Sequence, residues 1–96
     1  MSAKQLLELN RDDIIAIASK HGARNVRIFG SAARGDDRPE SDIDFLVEME
    51  PGRSLFDLAD LTSELSELLG HKADVVTESS LYWLLRRRIL NEAKQL

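Results

Sequence analysis

The segment Asp42-Ile43-Asp44-Phe45-Leu46-Val47-Glu48 constrains the fold more than any other stretch of the chain. In an extended backbone successive side chains point to opposite faces, so Ile43, Phe45 and Val47 share one face and Asp42, Asp44 and Leu46 the other. The first face demands a core. The second sets two carboxylates at positions i and i+2, about 7 Å apart. Like charges at that spacing repel. The pair persists where water separates the groups, where a basic side chain neutralises them, or where a hard divalent cation bridges them. Magnesium suits the last case, because it takes one or two carboxylates and completes its octahedron with water and substrate phosphates. The plain alternative is an acidic pair at an exposed sheet edge.

The remaining elements supply what such a strand needs to pack against. Ile14, Ile15, Ile17 and Ala18 fall at helical spacing between Arg11 and Lys20, with Asn10 as the cap and Gly22 at the left-handed position beyond the end. Leu6, Leu7 and Leu9 suggest an earlier helical turn. Asn25 to Phe29 reads as a short strand ending at Gly30, and Ala73 to Thr77 as a third. Ser54 and Asp57 form a capping box for a helix whose leucines recur at three and four residues until Gly70. A last helix is expected to start at a Ser79 or Ser80 cap and to carry Leu81, Leu84, Leu85, Ile89 and Ala93 as one apolar stripe. Strands interleaved with helices imply an α/β (α+β) fold: a small mixed sheet of three or more strands with helices packed on it, in one domain over residues 1–96.

The loop from Ser31 to Ser41 is where chemistry concentrates. Gly30 and Ser31 follow the first strand directly, where a residue without a β-carbon lets backbone approach a phosphate and a hydroxyl can donate to its oxygens. Arg34 adds a fork of donors. If Ser31 to Arg34 makes a helical turn, its amides face the same anion. Gly-Ser alone is usually an ordinary turn. Asp74 is the only acid inside the third strand, and three carboxylates meet if that strand lies beside the second. Such a cluster can hold a second metal or take the proton of an attacking hydroxyl.

Together, Gly30-Ser31-Ala32-Ala33-Arg34-Gly35 and Ser41-Asp42-Ile43-Asp44-Phe45-Leu46-Val47 resemble the DNA polymerase β-like nucleotidyltransferase superfamily. The chain's small size is similar to that of the minimal nucleotidyltransferases that form the antitoxin half of modules with HEPN-domain toxins. The resemblance implies the polymerase β-like core, a Gly-Ser nucleotide loop at Gly30 and Ser31, and a metal-binding pair at Asp42 and Asp44. It also implies a third carboxylate at Asp74, in Lys-Ala-Asp-Val-Val-Thr. The expected activity is magnesium-dependent transfer of a nucleoside monophosphate, AMP from ATP, to a hydroxyl of a HEPN protein partner. A different class of function is a binding module that neutralises its partner by contact alone. An appended domain that grips nucleic acid or a nucleobase is absent, so the acceptor is expected to bring its own contacts.

Composition removes several other classes. A formal charge of −4 argues against nucleic-acid binding by bulk electrostatics. Without cysteine there is no disulfide, thiolate zinc site or cysteine nucleophile, which fits a reducing compartment. Apolar runs such as Leu81 to Leu85 are far shorter than the roughly 20 residues of a membrane span, and a signal peptide is not evident, so a cytoplasmic protein is expected. No Gly-Lys-Ser/Thr follows the glycines, as a P-loop requires. Arg86, Arg87 and Arg88 fit either a solvated basic face or a partner contact, and Trp83 either partial burial or an interface anchor. A homo-oligomer is left open. His21 and His71 flank helix-ending glycines and suit the negative end of the helix dipole.

Overall fold

A computed structural model describes residues 1–96. The order is α1 (Ala3–Leu9), α2 (Arg11–Lys20), β1 (Ala23–Phe29), α3 (Gly30–Arg34), β2 (Ile43–Met49), α4 (Leu55–Leu69), β3 (Ala73–Thr77), α5 (Trp83–Glu92) and β4 (Lys94–Gln95). The four strands form one mixed sheet in the order β3-β2-β1-β4, with β2 parallel to β3 and β1 antiparallel to both of its neighbours. The expected α/β architecture is therefore present, with a fourth strand that sequence patterning did not anticipate. β4 pairs Lys94 with Ile28 and Gln95 with Arg27.

Strand alternation sorts the sheet into two unlike faces. Val26, Ile28, Ile43, Phe45, Val47, Ala73 and Val75 belong to the core with Ile14 and Ala18 of α2 and Leu61, Leu65 and Leu69 of α4. Phe45 and Leu61 are completely buried. Lys20 and His21 at the end of α2 both reach Glu64 of α4, at 2.8 and 3.0 Å, which fixes those helices side by side. The capping box at Ser54 and Asp57 forms as expected, and Gly70 ends α4 in the left-handed conformation.

The second face carries Arg27 and Phe29 of β1, Asp44 and Leu46 of β2, and Asp74 and Val76 of β3. Leu46 is fully buried yet lies outside the main core, so this face is covered as well. The Arg27 guanidinium, almost out of solvent, binds Glu78 at 2.8 Å, and Arg86 of α5 approaches the same carboxylate at 3.9 Å. At its other end α5 is tied by Glu92 to Arg34 of α3.

Two expectations about chain segments change. β1 starts at Ala23, two residues before the expected Asn25, because a bulge between Arg24 and Arg27 absorbs the left-handed Asn25 (φ 49°) without ending the strand. The last helix starts at Trp83 with Tyr82 as its cap, not at Ser79 or Ser80. Ser80 instead closes a 3-10 turn over Glu78–Ser80, its hydroxyl accepting from the Thr77 amide at 3.2 Å and donating to the Thr77 carbonyl at 2.9 Å. The predicted apolar stripe is not a core face: no residue of α5 is buried, and Ala93 lies beyond the helix.

Candidate active site

The site begins where β1 ends. Phe29 is paired with Asp44 across β1 and β2, and Asp44 with Asp74 across β2 and β3, so the three residues form one row over the second face. The parallel register of β2 and β3 is what aligns the two carboxylates. Asp42 stands one residue before β2 and half-exposed, with Lys72 Nζ 3.8 Å away. Its position is held by the loop that precedes it: Ser41 Oγ accepts from the Arg38 amide at 2.9 Å, and Asp37 Oδ2 from the Ala3 amide at 3.0 Å.

Asp44 carries the electrostatic signature of the site. Its pKa is raised to about 6, first by burial and then by the negative charges of Asp74, Asp42 and Glu92, with Arg34 opposing. The acids expected to converge therefore do act on one another. They do not form a closed cage, since no group of three His, Cys, Asp or Glu side chains is arranged to hold a metal ion. A hard cation of the magnesium type would need only one or two of these carboxylates, its remaining positions going to water and phosphate oxygens.

Gly30 and Ser31 open α3 immediately beside this row. Gly30 has a φ of +73°, and a β-carbon there would lie 2.3 Å from Asp44 Oδ2. The glycine thus serves both backbone conformation and close approach: it leaves the cradle into which the Asp44 carboxylate fits. The helical turn expected at Ser31 to Arg34 forms, closed by the Ser31 carbonyl, which accepts from the Gly35 and Asp36 amides at 2.9 and 3.1 Å.

Arg34 sits at the end of that turn, half-exposed. Its guanidinium donates to Asp36 at 3.1 Å and to Glu92, and these two hydrogen bonds raise its pKa further. It is therefore charged but engaged. Glu92 is the residue that sequence reasoning missed. Its only local signal is that it is the sole acid in α5, and its importance comes from a contact across 58 positions of sequence.

An acidic row on two parallel-paired strands beside a glycine-opened turn is the arrangement expected of a nucleotide-transferring enzyme. The family model for the nucleotidyltransferase domain matches residues 12–96. The chain belongs to that family and is a nucleotidyltransferase of the minimal type. It is 52% identical over 80 residues to MJ0435 of Methanocaldococcus jannaschii, named as a candidate protein adenylyltransferase, covering 83% of this chain and 86% of that one. A solved structure of a candidate minimal nucleotidyltransferase superposes with a TM-score of 0.87 at 43% identity, over 100% of this chain and 97% of the other. A mutant of the toxin-antitoxin pair MntA-HpeT gives a TM-score of 0.73 at 25% identity, over 91% of this chain and 71% of that chain.

Proposed function

We propose that this nucleotidyltransferase moves AMP from ATP to a hydroxyl side chain of a protein partner, a HEPN-domain toxin, and so acts as its antitoxin. The observation that carries the chemistry is the Asp44 carboxylate, set against Gly30, in register with Asp74 and repelled by its acidic neighbours. The adenylyl donor and the protein acceptor are supported by similarity to MJ0435 and MntA-HpeT.

In this reading Asp42 and Asp44 hold magnesium, which when bound neutralises charge on the triphosphate and on the departing pyrophosphate. Gly30 lets the backbone approach the phosphates, Ser31 donates its hydroxyl to a phosphate oxygen, and Arg34 exchanges Glu92 for the triphosphate. The acceptor oxygen attacks the α-phosphorus as the bond to pyrophosphate breaks, and Asp74 takes the hydroxyl proton. Asp74 is exposed, as a group that must meet an incoming acceptor should be.

The test is incubation with α-labelled ATP, magnesium and a HEPN-domain protein from the same genome. Label is expected in the partner, one AMP mass unit per event, and none is expected with Asp44→Asn. Neutralisation of the partner without any change in its mass would establish the contact-only antitoxin instead.

A further inference from the structure

α5 is unusual for a helix lying on a small domain. It has ten residues, none buried, and isolated helices of that length are marginal in water. Four consecutive large side chains at its start face solvent: Tyr82 at 60%, Trp83 at 73%, Leu84 at 58% and Leu85 at 48% exposure. In a chain of net charge −4, three consecutive arginines follow. Arg86 approaches Glu78 at 3.9 Å, and Arg87 and Arg88 take part in no ion pair.

Helical geometry arranges these residues into one surface. Trp83, Arg87 and Asn91 recur at i and i+4, so they form a ridge. A groove on one flank is lined by Trp83, Arg86, Arg87, Leu90 and Asn91. The groove on the other flank is lined by Leu84, Arg87, Arg88 and Asn91, and it also contains Arg34 and Glu92. The second, shallow groove therefore runs from Leu84 to the ion pair beside Asp44.

We infer that the outer face of α5, with Trp83 and Leu84 as apolar anchors and Arg87 and Arg88 as cations, seats an acidic, apolar-faced segment of the acceptor protein and aims its hydroxyl at the acid row. This rests on the proposed protein-directed transfer. Charge complementarity chooses the occupant: a carboxylate-bearing segment satisfies two arginines without ion pairs, whereas a second copy of this helix would bring like charge against them. Continuity with Arg34 and Glu92 supplies the reason for the location, since a docked segment emerges at the site. Aromatic and arginine side chains around a desolvated contact are also the residue types that concentrate binding energy at protein interfaces.

The experiment compares the full chain with Arg87→Glu/Arg88→Glu, with the milder Arg87→Gln/Arg88→Gln, and with Trp83→Ala. Each is measured for thermal melting, ATP binding, calorimetric affinity for a HEPN-domain protein from the same genome, and transfer from α-labelled ATP. ATP binding and melting are expected to stay at parental values, while affinity for the partner and transfer fall about tenfold or more, the glutamate pair most. Parental partner affinity in the folded glutamate variant overturns the surface and leaves the transfer reading standing. A parent that binds its partner but transfers nothing overturns the transfer reading, and the variants' affinities still decide the surface. A parent that does not bind at all overturns both. Variants that change self-association, or binding of a single-stranded RNA oligonucleotide, while leaving partner affinity intact would reassign the face to a second copy or to nucleic acid.

Discussion

Gly30 and Asp44 occupy one volume between them: a β-carbon on the glycine would lie 2.3 Å from the aspartate Oδ2, at a φ of +73° that L side chains rarely adopt. Gly30→Ala is therefore expected to lower stability by about 1 to 3 kcal/mol through backbone strain and displacement of the carboxylate. Nucleotide binding and transfer should fall with it. A thermal melt beside an ATP titration checks both, and parental transfer by the alanine variant would show that the close approach has no catalytic part.

Asp44 makes stability depend on pH in a defined direction. Its folded pKa, about 6, lies above the ordinary carboxylate value of 3.8, so the folded state holds the proton more tightly than the unfolded chain. The contribution is present below about pH 4 and is lost as pH rises toward 6. The group is half-exposed, so solvent screening reduces the loss to about 1 kcal/mol. Asp44→Asn should flatten this part of the profile, raise stability slightly at neutral pH, and abolish transfer. Urea unfolding at pH 4.5 and 7.5, values chosen on either side of about 6, gives the comparison.

Asp74 separates binding from chemistry. It is the exposed partner of Asp44 in the parallel register, and in the proposed reading it meets the acceptor hydroxyl and leaves the nucleotide to Asp42 and Asp44. Asp74→Asn is expected to slow transfer by about 100-fold, the usual scale for a lost general base, with little change in ATP affinity. Equal losses in affinity and rate would make Asp74 a nucleotide or metal ligand only.

Arg34 and Glu92 should respond in opposite directions. Glu92 holds an Arg34 donor that the proposed reading gives to the triphosphate, so Glu92→Gln is expected to tighten ATP binding, while Arg34→Ala and Ser31→Ala weaken it more than they weaken magnesium binding. Magnesium-dependent ATP titration reads all three. If Arg34→Ala binds ATP as the parent does, its role is confined to pairing α3 with α5.

The Arg27 and Glu78 pair tests what covers the second face. Glu78→Ala leaves a nearly buried guanidinium without its partner and is expected to cost about 3 kcal/mol. Arg27→Met/Glu78→Ala should recover much of that loss, because no buried charge remains. Additive losses in denaturant unfolding would mean that Arg27 is better hydrated than its surroundings imply.

What could be read from sequence is what local chemistry decides. Alternation assigned Ile43, Phe45 and Val47 to the core, and the Ser54 box and Gly70 marked both ends of α4, because each signal spans only a few residues. The Gly30 turn and the Asp42, Asp44 and Asp74 positions were legible for the same reason, although their mutual register was not. β4, the Arg34 contact with Glu92 and the burial of Leu46 all depend on segments distant in sequence. The start of α5 was misplaced because the Ser80 hydroxyl is already committed to the backbone of Thr77, a competition that composition alone does not reveal.

α5 has a further consequence for how the molecule breathes. Ion pairs at its two ends are screened by solvent and hold it only weakly, and no buried side chain adds to them. Its amide hydrogens should therefore exchange with solvent through frequent local opening, whereas those of β2, enclosed by β1 and β3, wait for global unfolding. Thermal fluctuation alone then parts Glu92 from Arg34 without disturbing the sheet that keeps the acid row aligned.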